Sequence, residues 1–147
     1  FDDYLAMARD GKNLLMVPGE ATAMRPLLRA LRKGELVGIT PDQQPKIGGG
    51  EFAAFYGHQA LTLTLIAKLA QRSGAPVVFT YSERNGTGYD VFFDSPDLLM
   101  AHEDIHTALD AMNNHVQAIA ERDYRQYQWT YKRFSIRPNS NDKNLYS

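Results

Sequence analysis

The chain has no cysteine in its 147 residues. This excludes a disulfide scaffold, a cysteine nucleophile and a cysteine-ligated zinc ribbon or finger, and it suits a reducing compartment. No run approaches the roughly 18 apolar residues that a membrane-spanning helix needs. Charge of one sign is lacking too: 16 Lys+Arg face 17 Asp+Glu, net −1, so no global field points to nucleic acid. There is no Gly-x-Ser-x-Gly elbow, no phosphate-binding loop, no dinucleotide fingerprint, no internal repeat and no low-complexity segment. Nothing calls for a cofactor. The chain also opens without Met or a signal peptide, in a helix-like run from Phe1 to Ala8, and this reads as the interior of a longer protein. What is present is 44% apolar and 11% aromatic residues, enough for one domain with a substantial core and too apolar for disorder.

Charge is uneven along the chain. Arg9, Lys12, Arg25, Arg29, Arg32 and Lys33 stand against only Asp10 and Glu20, whereas Glu83 to Asp110 carries seven acids and one base, Arg84. From Glu121 to Arg137 the balance is basic again. Two basic segments around an acidic one form either an anion-binding face or an ordinary solvated surface.

The apolar run Leu14–Val17 reads as a buried strand stopped by Pro18-Gly19. Thr22 is placed to cap a helix with Met24, Leu27, Leu28 and Leu31 inward, Pro26 in its first turn and Gly34 as its stop. Arg25, Arg29 and Arg32 fall on its opposite side. Leu36–Ile39 reads as a second buried strand. A loop from Asp42 through Gly48-Gly49-Gly50 leads to Phe52–Gly57, and a helix is expected over roughly Gln59–Ser73. Pro76–Tyr81 and Tyr89–Phe93 flank Asn85-Gly86-Thr87-Gly88 as a hairpin. A long helix from about Glu103 to Arg122 turns Ile105, Leu109, Met112, Val116 and Ile119 inward. Gln126–Phe134 alternates Tyr127, Trp129 and Tyr131 with polar residues, the pattern of a strand or extended segment. The fold class expected is α/β: a layered sheet, mostly parallel, with one antiparallel hairpin and flanking helices. Residues 1–138 form the domain and 139–147 a polar tail.

Three patterns invite chemistry. His102-Glu103-Asp104-Ile105-His106 matches H-E-x-x-H, whose two His bind zinc from one helix face with Glu as base. The third ligand is missing where the extended form needs it, since Leu109 and Met112 occupy those places, and an acidic first helical turn explains the same residues. The triple glycine is read as a flexible loop that lets another chain approach closely. Tyr127–Phe134 joins aromatics to cations, which suits a nucleic-acid surface, a membrane-interface patch or a packed strand with a basic edge; packing is the default.

Three segments in order resemble one family. They are Leu28–Glu35 with Pro41-Asp42-Gln43; Phe52-x-x-Phe55-Tyr56-Gly57 with the Thr62/Thr64 helix and Gly74-Ala75-Pro76-Val77-Val78; and Gln126–Phe134. Their order and spacing resemble the C-terminal half of the bacterial lipid A biosynthesis (lauroyl/myristoyl) acyltransferases, from about Asn13 to Pro138. The resemblance implies a partial glycerolipid-acyltransferase-like fold. It implies transfer of a fatty acyl chain from acyl carrier protein to a hydroxyl of the Kdo-bearing lipid A precursor, at the cytoplasmic face of the Gram-negative inner membrane. The partners implied are that carrier protein, the lipid precursor and a membrane surface, with no nucleic acid and no metal.

The family's catalytic signature is H-x-x-x-x-Asp/Glu, with His as general base on the acceptor hydroxyl. No His here has it: five residues after His58, His102, His106 and His115 stand Leu63, Thr107, Ala111 and Ala120. The isolated chain is therefore expected to be soluble and inactive, with no catalytic residue of its own. Substrate contacts are carried over to Arg25, a cation for a phosphate of the lipid or the carrier's phosphopantetheine arm. They also fall on Asp42 and Gln43 at a strand's C-terminal end, on Phe52, Phe55 and Gly57 around a tight turn, and on Arg133. Tyr56 stands where the family often has Phe. Trp129 and Arg133 are expected to support the site. The runner-up is a non-catalytic module binding anionic lipid or a carrier protein through the basic faces.

Overall fold

The computed structural model describes Val17 and residues 21–95, 98–139 and 141–146. The opening run Phe1–Ala8 and all of the expected Leu14–Val17 strand except Val17 lie outside these residues. The chain divides into two units, Phe1–Val37 and Gly38–Ser147.

In the first unit, a 3-10 turn at Ala21–Ala23 runs into helix α1, Met24–Arg32. Thr22 does not cap it; the N-cap is Ala23, without a side-chain bond. Pro26 does sit in the first turn, where a missing N–H costs nothing. Gly34, at φ 78, ends the helix: its N–H donates to the Leu31 carbonyl and the Glu35 N–H donates back to Ala30 at 3.1 Å, a Schellman closure. Leu36–Ile39 is not a strand, and Leu36 is 94% exposed. An apolar run becomes a strand only when another strand takes its backbone bonds, and among the described residues none does.

The second unit is mixed α/β. Strands β1, Gly50–Phe55, and β2, His58–Leu63, form one antiparallel hairpin; β3, Phe79–Asn85, and β4, Gly88–Asp94, form another. Between them lies α2, Leu65–Ser73, and after them α3, Ile105–Arg122. The Asn85–Gly88 turn and the long final helix match the sequence reading. The expected helix over Gln59–Ser73 does not: its first part is β2. Leu61, Leu65 and Leu69 satisfy a helical period, but Tyr56 (φ 49) and Gly57 (φ 73) occupy the left-handed region together, the geometry of a two-residue hairpin turn. That turn returns the chain along β1 and makes the next six residues its partner.

The core gathers Ala53, Phe55, Ala60, Phe79, Met100, Leu109, Met112 and Val116. Helix α3 also closes an edge that two strands alone would leave open. The Ala54 N–H donates to Asp110 at 3.3 Å, the Ala54 carbonyl accepts from Asn113 at 2.9 Å, and the Tyr56 N–H donates to Gln117 at 2.7 Å. Three side chains along the helix thus take the bonds a third strand would make. The β3–β4 hairpin packs its inner face on the same helix: the Arg122 guanidinium lies over Tyr81 and Phe92 and bonds Glu83 at 2.7 Å.

Candidate functional site

Asp42, Gln44, the β1–β2 turn and the segment Tyr127–Ile136 converge in the second unit. The segment is a succession of turns rather than the expected strand. The Trp129 N–H donates to Tyr127, Tyr131 to Gln128, Arg133 to Tyr131 and Ser135 to Lys132. Alternation by two residues marks a strand only where a neighbouring strand lies alongside; here aromatic packing holds the same residues. Trp129 is half exposed, donates Nε1–H to the Tyr124 carbonyl at 2.6 Å, and sits with ring centres 4.8 Å from Tyr127 and 5.6 Å from Tyr56.

Arg133 anchors this junction and is 4% exposed. Its guanidinium donates to the Leu61 carbonyl and, at 3.0 Å, to the Thr62 hydroxyl, with its carbon 5.8 Å from the centre of the Phe55 ring. The Thr62 hydroxyl donates in turn to the Ala60 carbonyl at 2.9 Å and accepts from Asn113 at 3.1 Å. One buried hydroxyl therefore links β2, α3 and the terminal segment. Burial lowers the Arg133 pKa, opposed by the nearby Tyr127, Tyr131 and Asp42. Burial, then the Asp42 carboxylate, pushes the Tyr127 phenol well above its ordinary range.

Gln44 fastens the loop to the segment. Its N–H donates to the Tyr131 hydroxyl at 2.8 Å, its side-chain amide donates to Ser135 at 3.0 Å, and its carbonyl oxygen accepts from the Ile136 N–H at 2.9 Å. Gln43 beside it is exposed. The predicted residues are thus divided. Arg133 meets the buried Phe55 (2% exposed) and lies near Asp42, while Phe52 is on the opposite face of β1, paired across to Leu61. Gly57 forms the tight turn as expected. Arg25 belongs to the other unit, exposed on α1.

Sequence reading missed Gln44, Thr62 and Asn113. Asn113 carried a signal: it is a polar residue on the inward stripe of an amphipathic helix, where only a bonded side chain is tolerated. Thr62 entered only as part of a family-like segment expected to be helical, and Gln44 carried no signal.

The H-E-x-x-H stretch does not place two His on one helical face. Helix α3 starts at Ile105, so His102 precedes it, and its Nδ1 accepts the Asp104 N–H at 3.1 Å. Asp104 caps the helix through the Thr107 N–H at 2.9 Å and hydroxyl at 2.7 Å. Among the described residues no group of three or more His, Asp or Glu could hold a metal ion. The triple glycine makes its close approach within the chain: a Cβ on Gly50 would lie 2.3 Å from the Thr62 carbonyl oxygen and 2.7 Å from Pro45 Cγ. Folding places the Asp94 carboxylate 3.9 Å from His115 Nε2, beyond hydrogen bonding.

Comparison with known proteins supplies what this geometry leaves open. The sequence profile of the bacterial lipid A biosynthesis acyltransferases matches residues 1–135. The chain belongs to that family. It is 30% identical over 118 residues to the lipid A biosynthesis lauroyltransferase of Escherichia coli K12, covering 78% of this chain and 39% of that protein. The palmitoleoyltransferase of the same organism and the lipid A biosynthesis acyltransferase of Shigella flexneri match at the same identity, over 78% of this chain and 38% of theirs. The chain therefore spans about two-fifths of the length of these relatives. No helix among the described residues is long and apolar enough to cross a membrane.

Proposed function

We propose that this chain is the C-terminal part of an acyltransferase, residues 1–138 belonging to its domain and 139–147 to a polar tail. The reaction assigned to the whole enzyme moves a fatty acyl chain from acyl carrier protein to a hydroxyl of the Kdo-bearing lipid A precursor, at the cytoplasmic face of the inner membrane. The observation that carries this reading is the family match over residues 1–135. In such a transfer the acceptor oxygen attacks the thioester carbonyl, its proton passes to a general base and the carrier's thiol leaves. No His of this chain has an acid five residues on, so the base and its carboxylate are assigned to the part of the relatives it does not span.

What this chain contributes is binding and support. Arg25 offers an always-charged fork for a phosphate of the lipid or of the carrier's phosphopantetheine arm. Asp42, Gln43, Phe52 and Gly57 are assigned to substrate contact. Phe55 and Arg133, both buried, act by holding the β1–β2 turn. The layered, mostly parallel sheet is assigned to the whole enzyme, with Leu14–Val17 and Leu36–Ile39 as strands that find partners there.

The test is direct. The 147-residue chain incubated with lauroyl- or myristoyl-carrier protein and the Kdo-lipid acceptor is expected to give no acylated product, while a full-length enzyme carrying the same sequence gives it. Turnover by the short chain would sink the assignment of the catalytic base elsewhere.

A further inference from the structure

The loop over residues 41–45 has little backbone bonding to hold it. Pro41 and Pro45 offer no N–H, and among the described residues these five make no backbone-to-backbone hydrogen bond. Gln44 supplies the fastening instead. Its N–H, side-chain amide and side-chain carbonyl are all spent on the terminal segment, at Tyr131 (2.8 Å), Ser135 (3.0 Å) and Ile136 (2.9 Å), 87 to 92 residues away. The first two bonds lie at the surface, where water takes their place cheaply, so they add little to stability. What they fix is position.

The residues so placed are Asp42 and Gln43. Asp42 is half-buried near Tyr127 and Arg133, and Gln43 is exposed. A carboxylate accepts hydrogen bonds and repels phosphate, and an amide both donates and accepts. Side by side they suit hydroxyl groups rather than the phosphate of a carrier arm. We infer that Gln44 is a positioning residue: by clamping this loop to the terminal segment it holds Asp42 and Gln43 ready for the hydroxyl-bearing acceptor. The proposal rests on the acyl-transfer reading, which puts those two residues in substrate contact. A loop released from its clamp binds only through the fraction still in place, and acceptor affinity falls with that fraction.

The test is kinetic and uses the full-length enzyme carrying this sequence. Gln44→Ala removes both side-chain bonds, together worth on the order of tenfold in the held fraction. The acceptor KM should rise about tenfold, with kcat and the carrier KM changed by less than about twofold. The melting temperature should fall by less than about 4 °C. Ser135→Ala, which removes one of the bonds, should raise the same KM by a smaller factor. On a Gln43→Ala background the effect of Gln44→Ala should shrink to about threefold or less, since a clamp acts through what it holds. An acceptor KM unmoved by Gln44→Ala overturns the proposal. So does an equal effect with and without Gln43, a rise confined to the carrier KM, or a larger thermal shift. An enzyme that acylates no acceptor overturns the acyl-transfer reading and this assignment with it; product with an unmoved KM overturns the assignment alone. Hydrogen exchange in the 147-residue chain reads the clamp without turnover. The Ile136 amide should exchange about tenfold faster in Gln44→Ala, and unchanged exchange would show that no clamp exists.

Discussion

A guanidinium that is almost wholly buried has left water, and its worth depends on what replaces the lost hydration. For Arg133 the replacements are neutral oxygens, the Leu61 carbonyl and the Thr62 hydroxyl. Hydrogen bonds from a charged donor contribute about 1.5–3 kcal/mol each, and an orphaned buried carbonyl costs about 1–3 kcal/mol. Arg133→Ala should therefore destabilise the protein by about 2–4 kcal/mol in urea denaturation; a loss under about 1 kcal/mol would mean that water replaces the guanidinium without cost. That Tyr127 and Phe134 pack against the core was legible from the rings of the terminal motif, packing being its default reading. What was not legible is the partner, because a bond spanning 72 residues leaves no mark in local pattern.

At the scale of elements, the β1–β2 hairpin enters over a glycine and turns on a Tyr-Gly pair. A methyl group at Gly50 would overlap the Thr62 carbonyl and the Pro45 ring, so Gly50→Ala should cost about 1–3 kcal/mol, seen as a lowered melting temperature. An unchanged midpoint would show that the Pro45 loop yields freely.

Helix α3 begins on the Asp104 cap, whose bonds to the Thr107 hydroxyl and N–H hold its carboxyl below the usual range. A depressed folded-state pKa gives stability that is full above the unfolded value, about 3.9, and is lost as pH falls through the folded value. Asp104→Ala should then lower the melting temperature clearly at pH 7 and much less at pH 2. An equal loss at both values would remove the carboxylate bonds as the cause. Helix α3, the β3–β4 hairpin and the Gly34 stop were legible because their signals are local. The first half of the expected Gln59–Ser73 helix was not, since its leucines fit either period and the left-handed Tyr56 decided for a strand.

Across the whole second unit, order depends on residues far apart in sequence. Gln44 reaches Ile136 and Arg133 reaches Leu61, so the loop and the first hairpin are closed by the terminal segment. A chain ending at Arg125 should lose the cooperative unfolding transition of this unit, because Phe55 loses its Phe134 neighbour and the Leu61 carbonyl its guanidinium. A sharp transition retained by that chain would show that α3 alone suffices. The mixed α/β class was legible from alternating elements. The parallel sheet expected from three apolar runs was not observable here: most of the first run lies outside the described residues, the second pairs with nothing among them, and the third pairs only within its own hairpin.

The Arg133 anchor also sets a schedule. During synthesis at about 5–20 residues per second, β2 leaves the ribosome roughly 4–14 seconds before the arginine that fastens it. For that interval the Leu61 carbonyl lacks its guanidinium partner, and the nascent hairpin is an open template. How well the hairpin folds in the cell then depends on how fast the 72 codons from Leu61 to Arg133 are read.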